Sequence, residues 1–218
     1  MAQERAVRTR RAILEAAANT FTRRGLEAAT IAEILKEAEV TKGALYFHFT
    51  SKEALAQAVL SEPTRDIVVP THPVKIQELI DTALVHAFQI RTDPIVRAAV
   101  HLSLDQHARS IDRSGPFLRW REASLRLLRA AKDQNELLAH IDPVELADIY
   151  VGTFAGIQSM SQVLSGYADL EIRIASLQRH LMPSICVPAL LTQLDFAPER
   201  GARLSGRAPS EQPGTLVS

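Results

Sequence analysis

Residues 30–49 read Thr-Ile-Ala-Glu-Ile-Leu-Lys-Glu-Ala-Glu-Val-Thr-Lys-Gly-Ala-Leu-Tyr-Phe-His-Phe, a spacing that points to two short helices around a tight turn. Thr30 and Glu33 stand at capping-box spacing, which sets where the first helix begins. Ile31, Ile34, Leu35 and Ala38 then recur as one buried helical stripe. Thr41 can cap the second helix, which opens Lys42-Gly43-Ala44 and buries Leu45 and Phe49 at i, i+4. Thr41, Lys42, Gly43, Tyr46 and His48 are left facing outward. Small and donor-bearing residues at a helix N-terminus are what a reader of the DNA major groove needs.

The helical period extends along the chain. Ile13, Leu14, Ala17, Ala18 and Phe21 form a stripe that should stop at Arg23-Arg24-Gly25, where a cationic last turn meets a glycine. Ser51 can cap a fourth helix carrying Leu55, Ala58 and Val59. Pro63, Pro70 and Pro73 interrupt the pattern over residues 61–74, which reads as a break or hinge between modules. A clear 3.6-residue period follows in Ile76, Leu79, Ile80, Ala83, Leu84, Ala87 and Phe88, closed by Thr92-Asp93-Pro94. Ser114-Gly115-Pro116 reads as a break before the stripe Phe117, Trp120, Ser124, Leu127, Leu128 and Ala131. Asp142-Pro143-Val144-Glu145 is a helix start with cap and Pro at the first position. Asp169 can open a helix that Pro183 should stop. No β-type alternation and no internal repeat competes, so the fold class is all-α. The expected division is a helix-turn-helix domain over 1–52, a larger helical domain over 53–196, and a disordered Gly-, Pro-, Ser- and Arg-rich tail over 197–218.

Composition narrows the class. Hydrophobic residues make up 46% and aromatics only 5%, with abundant Ala and Leu, as in a helical core. No apolar run reaches the roughly 18 residues of a membrane span, and no apolar signal follows the charged start, so no membrane role is expected and the cytoplasm is the expected compartment. The single cysteine, Cys186, excludes an intramolecular disulfide framework and reads as a buried small hydrophobe. Net charge is zero, but residues 1–52 carry nine Lys/Arg against six Asp/Glu, and the remainder sixteen against nineteen. Arg5, Arg8, Arg10 and Arg11 crowd the first eleven positions. Positive charge beside a helix-turn-helix pattern is the footprint of phosphate binding.

The run Val40–Phe49, continued by Ser51-Lys52-Glu53 and Leu55, resembles the recognition-helix region of TetR-like transcriptional repressors. Thr9–Ala17 and Phe21–Gly25 are similar to the same family. Three further segments, Leu102–Gln106, Gly115–Trp120 and Tyr150–Gln158, resemble the γ-butyrolactone autoregulator receptors and their pseudo-receptor relatives. The resemblance implies an all-helical C-terminal domain that binds a small signalling molecule and dimerises. It also implies a homodimer on double-stranded operator DNA, nucleoid-associated when bound and released by a small hydrophobic effector, a γ-butyrolactone-type signal or an antibiotic.

Candidate DNA contacts are Thr30, Thr41, Lys42, Gly43, Ala44, Tyr46, Phe47, His48 and Lys52. Lys42 can donate to guanine O6 and N7, and Gly43 lets the backbone approach the duplex. Tyr46 and His48 can donate to phosphates, a role the family gives Tyr46. Phe47 can pack against the first helix or touch thymine methyls and sugars. Thr30, Thr41 and Lys52 lie at helix starts, where backbone N–H groups favour phosphate oxygens. They can equally be structural.

The effector candidates are Phe88, Leu104, Phe117, Trp120, Thr153, Phe154 and Gln158. Thr153 and Gln158 would orient a ligand in a mainly apolar pocket. Trp120 is either core or pocket, and the receptors place a Trp against the ligand in the matching segment. Pro63 falls where a polar ligand contact would be expected. Gly152 and Gly156 mark a close helix approach, and the resemblance makes Leu170, Ile174, Leu177 and Leu181 candidates for the dimer seam.

Enzyme readings find no footing: there is no Gly-rich phosphate loop, no nucleophile elbow and no His-Glu-x-x-His. His101 and Asp105 have ligand spacing but no third partner nearby, so neither metal nor cofactor is expected. The competing class is a helical small-molecule-binding protein or adaptor without operator binding.

Overall fold

The computed structural model describes residues 2–62 and 69–206, which form eleven helices: α1 Ala2–Ala28, α2 Ile31–Ala38, α3 Lys42–His48, α4 Lys52–Ser61, α5 Lys75–Thr92, α6 Pro94–Leu104, α7 Ser114–Asp133, α8 Pro143–Ser165, α9 Leu170–Ile185, α10 Pro188–Leu191 and α11 Arg200–Leu204. The expected all-α class holds. Among the described residues the sole extended pairing is an isolated bridge between Leu137 and Cys186.

The chain divides into two compact units, residues 1–67 with 89–124, and residues 68–88 with 125–218. This differs from the expected boundary at 52/53. In the first unit Ile13, Leu14, Phe21, Ile34, Leu45 and Phe49 share one core with Leu55 and Val59 of α4 and with Ile95, Ala98 and Leu102 of α6. A 3.6-residue stripe reveals that a face is buried but not which helix buries it, so α6 could not be assigned to the N-terminal core from sequence.

Local chemistry explains the helix ends. Gly25 adopts φ 74, ψ 169 and kinks α1, which then resumes to Ala28. That backbone region is open to glycine because it lacks Cβ. Thr30 closes the capping box with Glu33, and Thr41 and Ser51 accept hydrogen bonds from the amides of Ala44 and Ala54. Asp93 and Asp142 cap α6 and α8, each followed by Pro in the first turn.

Two expected breaks proved helical. Ser114-Gly115-Pro116 forms the first turn of α7, where a missing proline N–H costs nothing. Its start is tied down by Asp112, whose carboxylate accepts from the Ser114 amide at 2.9 Å and hydroxyl at 2.6 Å. Pro183 lies within the last turn of α9, which runs on to Ile185.

In the second unit, α8 packs against α9, and Leu79, Ile80, Leu84, Leu128, Leu146, Tyr150, Leu170, Ile174 and Met182 are all buried. Cys186 is buried too, and burial pushes its thiol up to about 12. Glu136, itself buried, accepts from the amides of Lys75 and Ile76 at 2.9 and 2.8 Å and so caps the start of α5.

The expected disordered tail is partly overturned, since residues 197–206 are ordered against α5. The Arg200 guanidinium meets the Asp81 carboxylate at 2.6 and 2.7 Å and Asp195 at 2.7 Å. Gln77 both donates to and accepts from the Asp195 backbone. A Cβ on Gly201 would lie 2.3 Å from the Leu84 carbonyl oxygen, so this approach requires glycine. Residues 207–218 and 63–68, including Pro63, lie outside the described residues.

Candidate nucleic-acid interface

The turn between α2 and α3 is made by Glu39, a non-glycine residue at φ 52, whose amide donates to the Leu35 carbonyl. Leu45 and Phe49 then anchor α3 in the core and turn its other face outward. Thr41, Lys42, Gly43, Tyr46 and Phe47 are exposed, and Ala44 and His48 half-buried. Thr41 Oγ1 accepts from the Ala44 amide at 3.2 Å, which leaves its own hydroxyl proton available to a phosphate. The Lys42 ammonium lies 5.9 Å from the Tyr46 ring centroid. Gly43 has no atom within 4 Å of where a Cβ would sit, so the start of α3 is open to close approach.

Lys52 does not join this group. Its ammonium donates to the carbonyls of Leu26, Glu27 and Ala29 at 2.9, 3.1 and 3.1 Å. An ammonium has three donors, and all three close the C-terminal end of α1. Lys52 is therefore a cap, contrary to the phosphate role expected from its place at a helix start. Thr30 is similarly occupied: its hydroxyl and amide both donate to the Glu33 carboxylate, at 2.9 and 3.1 Å. These bonds, with the Arg24 guanidinium 3.1 Å from the other carboxylate oxygen, hold the Glu33 carboxyl below its ordinary range, so both Thr30 donors are engaged within the cap.

Of the N-terminal arginines, Arg10 forms a two-pronged pair with Glu62 and lies 5.6 Å over the Phe49 ring. Arg11 pairs with Glu15 and Asp93. Arg5 and Arg8 are exposed with no ion pair among the described residues, so they carry what remains of the basic N-terminal face.

The effector candidates fall in both units. Leu104, Phe117 and Trp120, in the first, are half-buried. In the second, Phe88 and Gln158 are buried, and Thr153 and Phe154 half-buried. Thr153 donates its hydroxyl to the Ile149 carbonyl at 2.7 Å within its own helix. Phe154 stacks at 5.5 Å on His86, a residue the sequence reading passed over because it sits inside an apolar stripe. Burial pulls the His86 imidazole down to about 3, so it is neutral at physiological pH. Among the described residues no cluster of three His, Cys, Asp or Glu has metal-site geometry, and no helix is long and apolar enough to cross a membrane.

The expected dimer residues separate. Leu170 and Ile174 are 0% exposed within the single chain and pack inside it, so they present nothing to a partner. Leu177 and Leu181 are half-buried, and Gly152 and Gly156 are exposed. The outward apolar residues missed by the sequence reading are Ile149, Met160, Val163 and Leu164 on α8 and Ile172 on α9. Their signal was present, since Ile149, Gly152, Gly156, Met160 and Val163 repeat at steps of three and four.

Residues 13–59 match the family described as bacterial regulatory proteins, tetR family. Over 206 residues the chain is 39% identical to the A-factor receptor protein of Streptomyces griseus, spanning 94% of this chain and 73% of that one. The chain belongs to the TetR family. It is a transcriptional regulator with an N-terminal helix-turn-helix, and not an enzyme. The fold is similar to that of TylP, a TetR regulator from Streptomyces fradiae, with a TM-score of 0.82 and 44% identity over 94% of this chain and 92% of that one. CprB from Streptomyces coelicolor, in complex with its operator sequence, gives a TM-score of 0.72 at 28% identity, over 93% of this chain and 99% of that one. A γ-butyrolactone receptor (ArpA-like) gives 0.70 at 28%, over 93% and 98%.

Proposed function

We propose that this TetR-family protein binds a pseudo-palindromic operator as a homodimer and releases it when a small hydrophobic effector of the γ-butyrolactone or antibiotic class binds its helical domain. The observation that carries the reading is the capped, open start of α3, where Thr41, Lys42, Gly43 and Tyr46 stand exposed beside one another. Two such helices enter successive major grooves about 34–36 Å apart. The A-factor receptor and γ-butyrolactone receptors among its relatives support the effector class.

The outward face of α8 and α9, with Ile149, Met160, Val163, Leu164 and Ile172 beside the open Gly152 and Gly156, suits a second copy of the chain. Within the second unit, half-buried Thr153 and the Phe154–His86 stack are the effector contacts we put forward. The release follows from differential affinity: effector and operator each favour a different one of two states. The site of action is the cytoplasm, on the nucleoid when operator is bound.

The test is duplex binding across a salt series, with and without a γ-butyrolactone. Operator binding gives an affinity that falls steeply with salt, and Lys42→Ala costs about 1–3 kcal/mol at one base position. A helical carrier without operator binding shows no duplex affinity at any salt.

A further inference from the structure

We infer that Phe47 is a base reader of the recognition helix and recognises the 5-methyl group of a thymine in each operator half-site. The inference rests on the operator-binding function above and specifies its chemistry. Between Thr41 and Phe49 the chain has no Arg, Asn or Gln, the side chains that pair bidentately with guanine or adenine. Lys42 is the one Lys or Arg in this stretch, and Gly43 and Ala44 bring no polar side chain. Hydrogen-bond readout by α3 is therefore thin, and discrimination has to draw on apolar contact.

Phe47 supplies it. Phe47 is 79% exposed, while the flanking anchors Leu45 and Phe49 are buried, so packing against the first helix does not account for it. A lone exposed hydrophobe needs no function in general. This one has a particular address: Gly43 and Phe47 are four residues apart and share one helix face. Gly43 leaves that face open, with nothing within 4 Å of a Cβ position, so the backbone can come close where the Phe47 ring projects. The ring is also braced edge-to-face on His48, at 5.0 Å between centroids and 83° between planes. A braced ring loses less rotamer freedom on contact. Among the base edges in the major groove, thymine alone presents a methyl group, which is the chemistry an apolar ring can distinguish.

The test begins with duplexes that the full-length protein selects from a randomised pool. Each thymine of the selected sequence is then replaced singly by deoxyuracil, which keeps the base pair and removes only the methyl. Burying one methyl is worth on the order of fourfold in affinity. The expected result is one thymine per half-site whose replacement weakens wild-type binding by that factor, and by roughly fifteenfold when both half-sites are changed. Phe47→Ala should be indifferent to the same replacement, and Phe47→Leu should keep part of the preference. Both variants should melt like wild type, since the side chain adds little to the core.

Wild-type protein that binds every deoxyuracil duplex as tightly as its parent overturns the inference and leaves operator binding standing. A Phe47→Ala protein that keeps the full penalty assigns the methyl to another residue. Failure to select any duplex sinks operator binding itself. The wild-type scan stands without either variant.

Discussion

Replacing Lys52 by Met removes one ammonium while keeping an unbranched apolar stem. In the native protein that ammonium ties the start of α4 to the end of α1 through the carbonyls of Leu26, Glu27 and Ala29. Hydrogen bonds to a charged group contribute about 1.5–3 kcal/mol each when shielded, and a cation at a helix C-terminus adds roughly 0.3–1 kcal/mol. The bond to Glu27 is exposed, and water replaces it at little cost. Those to Leu26 and Ala29 are partly buried and carry the effect. The expected loss is about 2–4 kcal/mol, or roughly 5–15 °C in Tm for a chain of this size.

The assay pairs thermal unfolding by circular dichroism with duplex binding across a salt series. A cap gives a lower Tm and, below it, an unchanged salt slope. A phosphate contact gives the opposite, an unchanged Tm and a log K against log salt slope shallower by about 0.9 per contact. That second pattern would refute the cap. Lys52→Arg should recover only part of the stability, because a planar guanidinium directs its donors along a fork and does not converge on three carbonyls.

Three further outcomes follow from the packing. The folded-state pKa of His86 lies near 3 and its unfolded value near 6.5, so the unfolded chain takes up the proton first as pH falls. The contribution of His86 to stability is therefore fully present above pH 6.5 and is lost progressively as pH falls below it, by roughly 1 kcal/mol per pH unit at most. Chemical denaturation between pH 6.5 and 4.5 reads this decline, and His86→Phe should flatten it; an unaltered slope assigns it elsewhere. Gly201→Ala forces a methyl against the Leu84 carbonyl and should cost about 1–3 kcal/mol, with faster proteolysis within residues 195–206. Protection equal to wild type would show that α11 does not depend on this approach. Val163→Asp places a charge at a residue that is 83% exposed in the single chain. Light scattering should then report monomer and duplex binding should weaken at least tenfold, while a variant that stays dimeric removes Val163 from the seam.

Much of the DNA-reading module was legible because its signals are local. Thr30, Thr41 and Ser51 each satisfy amides three residues on, and Gly25 meets a backbone need within its own turn. Such contacts depend on spacing along the chain, as do the Asp-Pro starts of α6 and α8. The effector and dimer assignments were less legible. Leu170 and Ile174 obey the same period as any seam, yet they face inward, while Val163 and Ile172 face out. Period locates a stripe without naming its partner.

The sequence by itself determined α2, α3 and α4, the side-chain caps at Thr30, Thr41 and Ser51 and the chemistry on the face of α3, since hydrogen bonds between near neighbours and a 3.6-residue repeat need no distant information. Tertiary structure alone decided which of those groups are free to act. Lys52 lost its expected role to three carbonyls 23 to 26 residues away. Arg200, within a stretch composed like a disordered tail, gained one from Asp81 at a separation of 119 residues. Charged and polar side chains are satisfied by whatever the fold brings within 3 Å, and that proximity is a property of packing rather than of order along the chain.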